Sequence, residues 1–123
     1  MMEHRIILEM GTGNDLYGLD YTKAAKRAIQ DALHHSSIVM FKSLDISHED
    51  MRVQVTIGVQ KPEELDIAAL TAELPRGRAQ VIGVVGGLDV HDPENNQTHF
   101  IATAAIEAFV PITAADWKLS SPT

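Results

Sequence analysis

Met51-Arg52-Val53-Gln54-Val55-Thr56-Ile57-Gly58-Val59 is the stretch that decides the fold class of this chain. Met, Val and Ile alternate with Arg, Gln, Thr and Gly. A strand with that period of two puts one set on each face, so one face is built for burial and the other for water. A sheet with one face to bury calls for helices packed against it.

Upstream, Ala24, Ala28 and Ala32 recur at four-residue spacing beside Ala25, Ile29 and Leu33, while Lys23, Lys26, Arg27, Gln30 and Asp31 fall largely on the other side. This apolar stripe at helical period predicts a helix over 21–35, capped by Asp20 or Thr22. Ile6–Met10 reads as a first strand closed by the turn-rich run Gly11–Asp15, and Ser37–Phe41 reads as a second. Downstream, Ile67, Leu70 and Leu74 form the inward face of a short helix that follows Asp66 and stops at Pro75. Ala79–Val85 reads as a strand running into Gly86-Gly87 and a polar loop over 89–98. In the last segment Phe100, Ala102, Ala104, Ile106, Ala108 and Val110 share one face of a strand, His99–Val110, which Pro111 breaks.

The order is therefore β-α-β-β-α-β-β. That is an α+β domain over residues 1–119, a mixed four- or five-stranded sheet with two helices on one face, followed by a frayed tail at 120–123. A length of 123 residues with 45% hydrophobic content suits one domain with its own core. Aromatics at 5% leave that core to Ile, Val, Leu, Ala and Met.

The absence of cysteine excludes disulfides, thiolate metal sites and a cysteine nucleophile. The apolar run Ile6–Met10 is too short for a signal-peptide core or a membrane span, so a cytoplasmic setting is expected. A net charge of −7 repels phosphate backbones and anionic lipid, and neither nucleic acid nor a membrane is an expected partner. No pair of histidines has the spacing of a helical metal site, and no metal or cofactor is expected.

The strongest candidate for chemistry is Gly11-Thr12-Gly13-Asn14-Asp15-Leu16-Tyr17-Gly18. Leu16 stands where a dinucleotide fingerprint needs its third glycine, so the run is a different motif. Placed between a strand end and a helix start, the amides of Gly11, Thr12, Gly13, Asn14 and Gly18 would cradle an anionic or carbonyl oxygen. Asp15 would act as acid, base or orienting group, and Tyr17 as a hydrogen-bond donor. Lys23 and Arg27 oppose the dipole of the first helical turns, a placement that makes sense beside a bound anion or beside Asp15 and Asp20. A second candidate is Gly86-Gly87-Leu88-Asp89-Val90-His91-Asp92, where Gly86 and Gly87 permit close backbone approach and Asp89 with His91 could exchange a proton. A plain connecting loop is its competing reading.

These residues point to an enzyme or a ligand-binding site for a small polar or anionic metabolite, with a pocket that the Gly86–His91 loop could complete across a subunit interface. The competing reading is a non-catalytic interaction or regulatory module in which the glycine motif only shapes a turn. Asp15 discriminates between them. Buried and capping its own loop, it is structural; facing a cleft beside Tyr17 and a cation, it is chemical.

Two helices cover one sheet face only, yet Val81–Val85 is apolar on both sides and Ile101, Ala105 and Phe109 make the second face of the last strand mostly apolar. A homo-oligomer is the expected remedy, with a C-terminal tail folded back around Trp117 as the alternative.

Gly11-x-Gly13-x-Asp15-x-Tyr17-Gly18, followed by Asp20, Thr22-Lys23-Ala24-Ala25 and Arg27-Ala28, resembles an uncharacterised family of small bacterial proteins with plant-plastid relatives. The hallmark of that family is an N-terminal Gly-x-Gly-x-Asp-x-His-Gly. Ile57-Gly58-Val59, Pro62-Glu63-Glu64, Leu74-Pro75 and Gly86-Gly87-Leu88 extend the resemblance over most of the chain. Tyr17 stands where the family carries histidine, so a proton-carrying role for that histidine would here pass to Tyr17 or be lost. The resemblance implies positions and no reaction.

Overall fold

A computed structural model describes residues 3–16, 18–34, 51–74 and 78–111. In chain order these form β1 (Glu3–Asp15), α1 (Tyr21–His34), β2 (Arg52–Val59), a single 3-10 turn (Pro62–Glu64), α2 (Ile67–Thr71), β3 (Arg78–Val85), β4 (Leu88–Asp92) and β5 (Gln97–Pro111). The 15-residue β5 is the spine of the sheet. β1 runs antiparallel along one side of it. On its other side β4 pairs with residues 97–101 and β2 with 103–109, both antiparallel. β3 extends the sheet beyond β2 in parallel. The result is a mixed five-stranded sheet, and the expected α+β class holds.

Two expectations about loops do not hold. Gly11–Asp15 is strand: β1 continues through it because β5 is long enough to pair with all of it, as in Gly11 with Ala104, Gly13 with Ala102 and Asp15 with Phe100. Leu88–Asp92, read as a loop, is strand β4, joined to β5 by a tight turn. Asp92 builds that turn, accepting from the Glu94 amide at 3.1 Å and the Asn95 side chain at 2.8 Å. Its carboxyl is held below the usual range, chiefly by the Asn95 side chain. The expected strand Ser37–Phe41 and the segment around Trp117 lie outside the described residues.

The core lies between the sheet and α1. Val53, Val55, Ile57 and Val59 of β2, Ala102, Ala104, Ile106, Ala108 and Val110 of β5, and Ala24, Ala25, Ala28, Ile29 and Ala32 of α1 are all buried in it. Leu70 of α2 joins the same core, which places both helices on one face. Against β1 the helix comes close enough that a Cβ on Gly11 would sit 2.4 Å from the Ala28 carbonyl oxygen, and one on Gly13 2.3 Å from that of Ala24. These glycines are helix-packing positions, where only a hydrogen fits.

Both helix starts are capped as their sequences require. Asp20 accepts from the Lys23 amide at 3.2 Å and Asp66 from the Ala69 amide at 3.1 Å. The Asp66 amide in turn donates to Thr22 Oγ1 at 2.9 Å, tying the two starts together. Among the described residues no helix is long and apolar enough to cross a membrane.

Candidate functional site

Asp15 closes β1 on its inward face and is 4% exposed. Its Oδ2 accepts from the Asp20 amide at 2.9 Å, its Oδ1 lies 3.7 Å from Arg27 Nη1, and a Cβ on Gly18 would approach its Oδ2 to 2.6 Å. Asp15 is therefore buried and caps its own turn, the structural side of the test set by the sequence. Arg27 is occupied as well, its Nη1 donating to the Asn14 carbonyl at 2.5 Å. One turn further along α1, Asp31 accepts from the Thr12 amide at 2.9 Å. These two helix side chains reach round the sheet margin and satisfy the outward N–H and C=O of an edge strand, the groups that otherwise invite another chain to pair. Lys23 is exposed on the first turn. Tyr17 lies outside the described residues.

Among the described residues, the far face of the sheet carries no helix. Cross-strand register arranges it in rows: Thr12, Thr103, Gly58 and Val84 form one, and Met10, Ala105, Thr56 and Ile82 the next. Beyond them toward the start of β1 come Leu8, Glu107, Gln54 and Gln80, then Arg5, Phe109, Arg52 and Arg78. That last end is charged, and two of its three arginines are paired. Arg5 pairs with Glu107 at 3.2 Å, Arg52 with Glu3 at 3.0 Å, and the Arg52 guanidinium lies 4.2 Å from the centre of the Phe109 ring.

The first two rows enclose a hollow of about 480 Å³. Ala105, Gly58 and Gly86 give it a low floor, the threonines 12, 56 and 103 flank it, Met10 and Val84 form apolar walls, and Asp31 stands at its rim. The floor is low because the chain leaving β3 crosses the end of β2 at near-contact distance. A Cβ on Gly86 would lie 3.1 Å from Gly58 Cα, and Gly87, at φ +61°, has no room for one against the Ile101 carbonyl. Gln60 pins the crossing by donating to the carbonyls of Gly86 and Gly87 at 3.1 and 3.2 Å. Gly87 thus serves the crossing, whereas Gly11, Thr12 and Gly86 line the hollow.

A smaller hollow of about 170 Å³ lies at the opposite end, lined by Leu16, Leu19, His91, Asn96, Gln97 and Thr98. His91 Nδ1 is 3.3 Å from Thr98 Oγ1, and His99 Nδ1 donates to the Leu16 carbonyl at 2.7 Å. Asp89 faces inward, where Tyr21 donates its phenol to it at 2.5 Å and stacks on Phe100 with ring centres 3.8 Å apart. Burial above all, then the hydrogen bond to Asp89 and the charges of Asp89, Glu64 and Glu63, push the Tyr21 phenol well above its usual range. Sequence reading passed over Tyr21, although its place three and four residues before Ala24 and Ala25 puts it on the same helical stripe.

The sequence-derived site residues thus divide among three places. Gly11, Thr12 and Gly86 meet at the larger hollow and His91 at the smaller one. Asp15, Gly18 and Arg27 hold the turn into α1, Gly13 packs on α1, and Asn14 lends its carbonyl to the edge cap. Among the described residues no cluster of three His, Cys, Asp or Glu side chains is placed to hold a metal.

The family model described as "Conserved hypothetical protein (Lin0512_fam)" matches residues 5–108. The crystal structure of an FtsZ-like protein of unknown function from Nostoc punctiforme is similar at 32% sequence identity and a TM-score of 0.78, over 91% of this chain and 99% of that one. No curated protein sequence matches the chain.

Proposed function

From the premise that the chain belongs to this family of conserved hypothetical proteins, we propose that it binds a small polar metabolite in the hollow on the open face of its sheet. The observation that carries this reading is the hollow itself. At about 480 Å³ it falls within the size range of small-molecule sites, and it combines apolar walls with a few convergent polar groups. Gly11 and Thr12 from one glycine-marked stretch and Gly86 from the other, 74 or more residues apart, contribute to it from opposite sides.

Its chemistry favours particular ligands. Each threonine hydroxyl both donates and accepts, so three of them suit an amide, a hydroxyl or a ring nitrogen. The Asp31 carboxylate at the rim attracts a donor-bearing or cationic group and opposes an anion, which moves the expected ligand from anionic toward polar and neutral. Met10 and Val84 would hold the apolar edge of such a molecule. Among the described lining residues Asp31 is the ionisable group, and it is already bonded to the Thr12 amide. The lining therefore suits recognition more than proton transfer, and the glycine motif with Asp15 supports the site from beneath.

The test is a thermal-shift screen of small amides, amino compounds and polyols against the full chain and its Ala105→Leu variant, whose larger side chain fills the floor. Compounds that bind the folded hollow raise the melting temperature of the native protein and leave the variant unmoved. Hits that stabilise both proteins equally would place binding elsewhere and end this reading.

A further inference from the structure

We infer that the open face of the sheet is the contact surface for a second copy of this chain, packed face to face about a two-fold axis so that each copy's Met10 closes over the mouth of its partner's hollow. This inference stands on exposed side chains and shape and does not depend on a bound ligand.

The first argument is where the apolar exposure falls. Leu8 is 44% exposed, Met10 70%, Val84 41%, Leu88 59% and Val90 44%. Strand register places all five on the face away from α1, since Leu8 and Met10 pair beside Glu107 and Ala105, Val84 beside Gly58, and Leu88 and Val90 beside Ile101 and His99. Single exposed apolar residues are ordinary, but several gathered on one sheet face mark a contact surface.

The second argument is shape. Met10 is the most exposed of the five, and next to it lies a floor of Ala105, Thr56 and Gly58. A projecting knob and a hollow side by side on one surface are the elements of an isologous contact, because a two-fold rotation brings each knob over the other hollow. Methionine suits that part, being unbranched and able to fill an irregular gap. The described residues of a single copy leave the hollow open, and a second copy would roof it.

The third argument is area and charge. Four strands spaced about 4.8 Å apart and four rows of side chains about 6.8 Å apart give a face of about 520 Å² per copy, hence about 1,040 Å² in total, just above the roughly 1,000 Å² that a specific interface must clear. Although the chain carries −7 overall, the central rows of this face contain Thr, Met, Ala, Gly, Val and Ile. Arg5, Glu107, Arg52 and Arg78 lie at one end, where Arg5 pairs with Glu107 and Arg52 with Glu3, while the Asp31 carboxylate at the rim of the hollow is bonded to the Thr12 amide. The repulsion between two acidic copies is therefore not focused on the surface where they meet.

The experiment is sedimentation velocity of the full chain from low to high micromolar concentration, alongside Met10→Glu and Val84→Glu. Ile67→Glu on α2, 38% exposed and away from this face, serves as control. The native protein and the control sediment as dimers, and each face variant raises the dissociation constant by about tenfold or more with an unchanged circular dichroism spectrum. A native protein that stays monomeric overturns the inference, as does a dimer that neither face variant weakens. If instead Met10→Glu shifts the emission of Trp117 in a monomer, the chain's own C-terminal segment is the occupant and the second copy is excluded. Dimerisation without any metabolite-dependent thermal shift would remove the ligand-binding reading and leave this one standing; a ligand-responsive monomer would do the reverse.

Discussion

Alternate residues of β1 solve opposite problems, and the contrast between them explains most of this molecule. Gly11, Gly13 and Asp15 point toward α1, where every position is filled: two glycines against helix backbone and a carboxylate with its partners in place. Met10, Thr12 and Asn14 point the other way, and Met10 and Thr12 line a hollow that the described residues leave open. Over six residues the strand alternates at every step between a closed surface and an available one. Glycine-rich sequence is thus no guide by itself to a ligand loop, since the same residues serve wherever two backbones must touch.

The sharpest way to test that contrast is to add one methyl group to the closed side. Gly13→Ala puts a Cβ 2.3 Å from both the Ala24 carbonyl oxygen and the Ala28 amide nitrogen, which are backbone atoms that cannot turn aside. The helix must lift from the sheet, at a loss of about 3 kcal/mol or more in urea-unfolding free energy. A loss below about 0.5 kcal/mol would show that α1 does not pack on β1 as closely as described.

Asp15→Ala comes next. It strands the Asp20 amide and removes the carboxylate beside Arg27, and the expected loss is about 2 kcal/mol by the same measurement. Because Asp15 is turned away from the open face, the variant should keep whatever thermal-shift responses the native protein shows. Loss of those responses in a fully folded Asp15→Ala would return Asp15 to the ligand.

Tyr21→Phe probes the same closed layer more gently. It deletes the hydrogen bond to Asp89 and keeps the stack on Phe100, for a loss of about 1 kcal/mol at neutral pH. The phenol is raised in the folded state, so the unfolded chain releases this proton first as the solution becomes alkaline. The stabilisation is complete below pH 10 and is lost as pH rises above it. Native protein and variant should therefore converge in stability above pH 10, and curves that stay parallel would mean that Tyr21 titrates normally.

The closed side was also the legible side. The β2 alternation, the alanine stripe of α1 with its Asp20 cap and the inward face of β5 all read correctly because burial imposes a period on sequence. What escaped was decided by distant pairing. Gly11–Asp15 has the composition of a turn, and only the length of β5, some 90 residues later, draws it into the sheet. Leu88–Asp92 carries two aspartates and a histidine, and its strand character comes from the turn that Asp92 builds to β5. The candidate site suffered for the same reason. Its lining comes from β1, β2, β3 and β5, and no local pattern announces that four strands will bring these residues together.

The smallest effect belongs to the same chemical change made on the open side. Gly58→Ala places its Cβ 2.6 Å from Thr103 Oγ1 and at 3.4 Å, an ordinary contact distance, from Gly86 Cα. The close neighbour here is the tip of an exposed side chain, which can rotate away, so the cost in stability is about 0.5 kcal/mol or less. That rotation has a consequence the matching change at Gly13 lacks. It re-aims one of the three hydroxyls that flank the hollow, so Gly58→Ala should reduce metabolite-induced thermal shifts while leaving the unfolding curve nearly in place. A Gly58→Ala as damaging to the fold as Gly13→Ala would mean that Thr103 is locked, and that the open face is as tightly packed as the helix-covered one.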